Sequence, residues 1–279
     1  MQVSLSLCGW RVDEYDGLRV VRCEALERIA VLAHAFSTRH GAGTDRFDLG
    51  SHADGGAEIE DRRRRFCDAA GLGQQRPTIL QQVHGASVLQ AADVMQATSS
   101  CEADGVVAIR AASGTSAGAA LPAVRWADCV PVLLADRGGA AVAAVHAGWR
   151  GTAAGVVPAA VRRLRERGTR PADLCAAVGP AIGGCCYEVG DEVIRAVSRA
   201  SGADAEMLVA RGGRLDLRRA VGLQLEREGL GRSAIHVAPW CTYCSADLFF
   251  SYRREGAGSG RQMACIGWRS AARLPGSAP

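Results

Sequence analysis

Residues 131–167, PVLLADRGGAAVAAVHAGWRGTAAGVVPAAVRRLRER, contain the change of hydrophobic period that decides the fold. PVLLAD at 131–136 and AAVAAVH at 140–146 are short apolar runs around Arg137-Gly138-Gly139, a pattern that predicts a hairpin. From Thr152 to Arg167 the period changes. Val156, Val157, Ala160, Val161 and Leu164 share one helical face, with Arg162, Arg163, Arg165, Glu166 and Arg167 outside it, so a surface helix is expected. Outward from this stretch, VSLSL near the start, LAHAFSTRH at 32–40, TILQQVH at 78–84 and segments at 105–109, 121–127, 174–178, 233–238 and 262–268 read as strands. Helices are expected over Ala57–Ala70, closed by Gly71, and over 190–200 and 215–228. A Gly/Ala/Ser-rich loop is expected at 111–120, and the tail after Arg269 is expected to fray. The sum is a mixed α/β chain without repeats or a long linker.

Composition narrows the chemistry. The chain has 279 residues, 48% of them hydrophobic, enough for a sizeable core and consistent with one large α/β domain. All 33 basic residues are arginine, and neither lysine nor asparagine occurs. A lysine Schiff base, a phosphate-loop lysine, a Cys-His-Asn triad and an N-glycosylation acceptor are therefore excluded. The net charge of +4 is mild and spread along the chain, which argues against nucleic acid as the partner. Arg62–Arg65 falls among Glu58, Glu60, Asp61 and Asp68 and reads as a solvated helix face. With no leader pattern and no window suited to a membrane span, the expected location is cytoplasmic. Eleven cysteines, an odd number, then read as reduced thiols, with room for one metal site.

Three residues at strand ends draw attention. His84 ends QQVHG, His146 ends the apolar part of AVHAGWRG, and Cys129 in RWADCVPVLLAD sits where Pro131 bends the backbone between two strands. They are 45 and 17 residues apart, a separation that sheet neighbours can bridge. Three such ligands leave the fourth position of a zinc open, the arrangement of a catalytic site. The same residues are also compatible with a metal-free Cys-His dyad with Cys129 as nucleophile, or with a buried thiol and hydrogen-bonded imidazoles that do no chemistry. Cys241-Thr-Tyr-Cys244 has half the spacing of a zinc site, but no second CxxC completes it; with the vicinal Cys185-Cys186 it reads as incidental thiols. Arg150, beside a turn and the expected helix start, is a candidate anion ligand or a Trp149-stacked turn residue. Arg39 in STRHG and Arg253 and Arg254 in FFSYRREG are further candidate anion ligands, or plain surface charges.

Taken together, STRHG, QQVHG, WADCVPVLLAD, VHAGWRGTAAGVV, VGPAIGGCCYEVGDEV, LDLRRAVGLQL and CTYCSADLFFSYRREGAGSGR resemble, in order over about residues 32–268, the family variously called multicopper polyphenol oxidase (laccase-like), purine nucleoside phosphorylase or peptidoglycan editing factor. The resemblance implies an α/β fold, a single catalytic domain of layered mixed β-sheets flanked by helices, and zinc held by His84, Cys129 and His146. It also implies a small-molecule substrate: phosphorolysis of adenosine, inosine and methylthioadenosine, and deamination of adenosine. Within that expectation Asp128, beside Cys129, is the candidate proton shuttle, and Arg39, Arg150 and Arg253 are candidate phosphate ligands. The match departs at Ala42-Gly43-Thr44. Copper suits two His and a Cys, so weak phenol oxidation is a further expectation, although only four other histidines remain for a larger cluster. A thiol amidase acting on cell-wall precursors and a non-catalytic metal or ligand binder stay open as alternatives.

Overall fold

The strand Ala141–Ala147 sends Ala141, Ala143, Val145 and Ala147 to one hydrophobic core, and Val142 and Ala144 to another. Its hairpin partner Val130–Asp136 divides the same way, with Val130, Val132 and Leu134 opposite Leu133 and Ala135. Strict alternation with both faces apolar is what a strand buried between two layers requires. The computed structural model describes residues 5–41, 43–50, 56–73, 75–97, 100–110, 121–210 and 212–269. In it these two strands are central to a six-stranded sheet ordered Ile235–Val237, Leu174–Val178, Val130–Asp136, Ala141–Ala147, Gly105–Ile109, Val88–Gln90.

A seven-stranded sheet stacks on it, ordered Leu5–Leu7, Trp10–Tyr15, Leu18–Cys23, Leu32–Ser37, Gln262–Trp268, Leu121–Trp126, Pro77–Thr78. The shared core between the sheets includes Phe36, whose ring centroid lies 5.5 Å from Trp10 and 6.0 Å from Trp126. Truncating such a ring to alanine costs about 3–5 kcal/mol. Helix Ala57–Ala70 covers the outer face of the seven-stranded sheet through Phe66, Cys67, Ala69 and Ala70. Helices Val156–Glu166, Asp191–Ser201 and Leu217–Arg227 cover the outer face of the six-stranded sheet. The molecule is thus a layered mixed α/β domain, as expected.

Three local expectations need correction. The helix expected to begin at Thr152 is two helices, Trp149–Ala154 and Val156–Glu166, broken at Gly155, which takes φ +84°. Arg150 therefore lies inside the first, short helix and not on a turn ahead of it. Of TILQQVH, only Thr78 belongs to a strand, in the pair Pro77–Thr78; Gln81 makes a single bridge to Glu102. The hairpin Trp10–Tyr15/Leu18–Cys23 was not anticipated, because charged residues interrupt its alternation, although the Asp16-Gly17 turn at positive φ is its sequence signature. The expected loop at 111–120, the tail beyond 269 and Ala42 lie outside the described residues.

Candidate metal centre

The chain crosses from one sheet to the other at residues 127–129, between strands Leu121–Trp126 and Val130–Asp136. That crossover puts Cys129 at the sheet edge beside His146, since His146 pairs with Pro131 and Ala147 with Val130. His84 reaches the same point from the loop before Val88–Gln90. The ligand atoms of His84, Cys129 and His146 all lie within 4.8 Å of one another, and the two imidazole centroids are 4.9 Å apart. Gly148 leaves the room: a Cβ there would meet Cys129 Sγ and His84 Cδ2, each at 3.0 Å.

Asp104, fully buried, organises both histidines and was not singled out from sequence. Its carboxylate accepts from the backbone N–H groups of Val83 (3.2 Å), His84 (2.9 Å) and Gly85 (2.7 Å), holding His84 in the left-handed region at φ +60°. Such a backbone conformation is uncommon for a side chain other than glycine and needs compensation of this kind. Asp104 also accepts from His146 Nδ1–H at 2.8 Å, which leaves Nε2 as the ring atom free to bind. A carboxylate behind a histidine is the usual support of a metal ligand. A thiolate and two imidazoles that converge without protein filling the fourth direction fit zinc, and they fit copper by donor type.

Without an ion, the triad is a charged pair. Burial opposes the Cys129 thiolate, but the His146 charge and hydrogen bonds from both histidines prevail and bring its pKa down to about 6. Burial likewise opposes protonation of His146, yet Cys129 and Asp104 raise its pKa to about 9. Such a thiolate is ready to bind a cation or to attack an electrophile.

The triad lines a cavity of about 510 Å³ together with Gln82, Tyr187 and three arginines, Arg125, Arg253 and Arg261. Burial and the charges of Arg63 and Arg261 lower the Arg125 pKa to about 10, which leaves it cationic at neutral pH. Its Nε is buried with no hydrogen-bond partner among the described residues, while its terminal nitrogens donate to Gly50 O and Leu80 O. Arg253 donates to Glu188 O and stacks over Tyr187. Burial, then the Cys129 charge, push the Tyr187 phenol up to about 12, so it stays protonated.

The anticipated residues divide. His84, Cys129, His146 and Arg253 meet in the cavity; Arg39 and Arg150 do not line it. Arg39 donates to Asp45 O, Ala246 O and Glu255 and lies over Phe250, while Arg150 stacks on Trp149 at 4.4 Å. Asp128 is in the wall, but Thr242 Oγ1 (2.6 Å), Ser251 Oγ (3.0 Å) and the Arg253 N–H (2.7 Å) donate to its two oxygens. It takes φ +81° and braces the crossover. Arg125 and Arg261 were not singled out; Arg125 lies just ahead of the WADC motif and Arg261 closes the last quoted one. In the Arg62–Arg65 run, Arg62, Arg64 and Arg65 pair with Glu58 and Asp61 on the solvated face expected, whereas Arg63 is buried, donating to Leu49 O and pairing with Glu60. No helix among the described residues is long and apolar enough to cross a membrane.

Residues 33–269 match the family described as multi-copper polyphenol oxidoreductase laccase. The chain is 32% identical over 265 residues to purine nucleoside phosphorylase YlmD of Geobacillus stearothermophilus, spanning 89% of this chain and 94% of that protein. It is 36% identical over 258 residues to the purine nucleoside phosphorylase of Deinococcus radiodurans, spanning 90% and 93%. The crystal structure of YlmD from Geobacillus stearothermophilus superposes with a TM-score of 0.76 at 31% identity, over 92% of this chain and 98% of that one. With the motifs in order and the layers shared, the chain belongs to the multi-copper polyphenol oxidoreductase laccase family.

Proposed function

We propose that the chain acts as one catalytic domain that phosphorolyses purine nucleosides, adenosine, inosine and methylthioadenosine among them, at a zinc centre held by His84, Cys129 and His146. The observation that carries this reading is one cavity lined both by a metal-ligand triad and by Arg125, Arg253 and Arg261. Relatives named as purine nucleoside phosphorylases support the substrate class. Zinc, when bound, supplies a Lewis-acid charge and an open coordination position.

The protein residues do the rest. Arg125, Arg253 and Arg261, which line the cavity, hold phosphate by their positive charge. A phosphate oxygen attacks the anomeric carbon as the bond to the purine nitrogen breaks; the electron pair leaves with the base, which takes up a proton. The protonated Tyr187 phenol is the donor we assign to the departing base. Asp128 acts as a positioning residue, through its hold on Arg253 N–H, rather than as the proton shuttle that sequence suggested. We extend the proposal to adenosine deamination at the same triad.

The test is to supply adenosine with and without phosphate and to separate adenine, inosine and hypoxanthine. Phosphate-dependent adenine with ribose 1-phosphate supports the reading, and inosine alone would leave deamination as the activity. Adenine release that ignores phosphate, or no purine product at all, would overturn it.

One observation favours a second reading. The Cys129–His146 pair in its metal-free state is a ready nucleophile, as a thiol amidase acting on cell-wall precursors requires. That activity would survive zinc removal and disappear on alkylation of Cys129. A copper phenol oxidase has less support, since His34, His40 and His236 are apart from the triad: His34 accepts from Cys23 N–H and His40 pairs with Asp45.

A further inference from the structure

Cys185, Cys186, Cys241 and Cys244 play no part in the chemistry above, yet two distant turns bring them together. The turn after Ala181 and the turn starting at Cys241 are joined by a parallel bridge between those two residues, with Thr242 N–H donating to Ala181 O at 3.1 Å. The four Sγ atoms all lie within 4.8 Å of one another; Cys244 is 3.3 Å from Cys186 and 3.7 Å from Cys185. A zinc–sulfur bond of about 2.3 Å sets the sulfurs of a tetrahedral site about 3.8 Å apart. The observed separations are on that scale, whereas a disulfide needs about 2.05 Å.

We propose that these four cysteines form a second, closed zinc site that staples the 181–187 turn to the 241–245 turn at the rim of the nucleoside cavity. Four thiolates on one Zn2+ leave two net negative charges, the thiol protons going to solvent. The surroundings suit that charge. Arg214 donates to Cys185 O, Arg218 donates to Ala238 O and Trp240 O at the base of the second turn, and Arg254 donates to Thr242 O and Tyr243 O within it. The Gly183 N–H donates to Cys241 Sγ at 3.2 Å, the kind of support that thiolate ligands receive. Gly183 also permits the approach of the two turns, because a Cβ there would lie 2.8 Å from the Arg218 guanidinium and 3.2 Å from Cys185 Sγ.

The staple has a consequence for the cavity. Tyr187 follows Cys186 directly, and Thr242, between Cys241 and Cys244, holds Asp128. Zinc here positions that wall without touching the reacting atoms. Unlike the triad, this site has all four positions filled by protein, so it offers none to substrate.

The experiment is metal analysis of protein purified anaerobically with reductant and supplied with zinc. The expected contents are two zinc per chain in the wild type and one in each of Cys129→Ala and Cys185→Ser/Cys244→Ser. X-ray absorption of Cys129→Ala should show four sulfur neighbours at about 2.3 Å. The wild type also provides a test that needs no variant: Cys185 and Cys244 are exposed, yet zinc should slow their alkylation on the order of ten-fold until a chelator is added. Zinc-free Cys129→Ala protein, a mixed nitrogen–sulfur shell, a disulfide among the four in the reduced protein, or unchanged alkylation with zinc present would overturn the proposal. Failure of the nucleoside assay would leave it untouched, because no readout uses turnover.

Discussion

The two sulfur-containing clusters are built by opposite means. In the His84/Cys129/His146 triad, Cys129 and His146 sit where strands end and His84 comes from the loop ahead of Val88–Gln90; a buried carboxylate lies behind the triad, which opens into a cavity. The cysteine quartet sits on two turns, has arginines around it, and is closed by its own side chains. A site for chemistry needs rigid support and one vacant direction, while a staple needs only convergence. The difference lies in the supporting shell more than in the ligands.

The largest effect expected concerns the triad itself. His84→Ala, Cys129→Ala and His146→Ala should each reduce phosphorolysis by roughly a thousand-fold or more, and pairing two of them should add little, because they serve one function. Strictly multiplicative losses in steady-state assays would show three independent roles. Next comes the carboxylate: Asp104→Asn weakens the hold on His146 Nδ1–H and on the His84 turn, so zinc affinity should fall about 10–100-fold, read by competition with a chelator. An unchanged affinity would break the contrast between a supported site and a mere staple.

Smaller effects test the cationic wall. Arg253→Gln and Arg261→Gln should raise the phosphate KM by about ten-fold with a lesser change in kcat, whereas Arg39→Gln and Arg150→Gln should not change it. A phosphate defect confined to Arg150→Gln would restore the anion role that its stacking on Trp149 argues against. The mildest probe is chemical. In zinc-free protein the alkylation rate of Cys129 should be half-maximal near pH 6 and fall as the thiolate is protonated below that. A midpoint near pH 9 would mean that His146 and His84 do not stabilise the thiolate.

Sequence made the central hairpin legible because strands buried on both faces become continuous apolar runs, and it placed Cys129 and His146 at strand ends, whereas His84, read as the end of a strand, lies on a loop between Pro77–Thr78 and Val88–Gln90. It gave no sign of Asp104, since CEADGVV carries no local signal that one carboxylate accepts three backbone N–H groups from a loop about twenty residues upstream. It also separated Cys185-Cys186 from Cys241 and Cys244, because a vicinal pair lacks the CxxC spacing that makes half-sites recognisable. Arg39 and Arg150 stood out for their motifs, yet backbone carbonyls, Glu255 and Trp149 engage them. Convergence over long sequence distance is the information that spacing does not contain.

The measurement that bears most directly on the triad is zinc content and phosphate-dependent adenine release, determined on the same preparations of wild type and Cys129→Ala as chelator is added and zinc restored. Wild-type activity should disappear with zinc and return with it, and Cys129→Ala should stay inactive however much zinc is supplied. A zinc-free wild type with full turnover, or an active Cys129→Ala, would contradict the assignment of zinc to the triad.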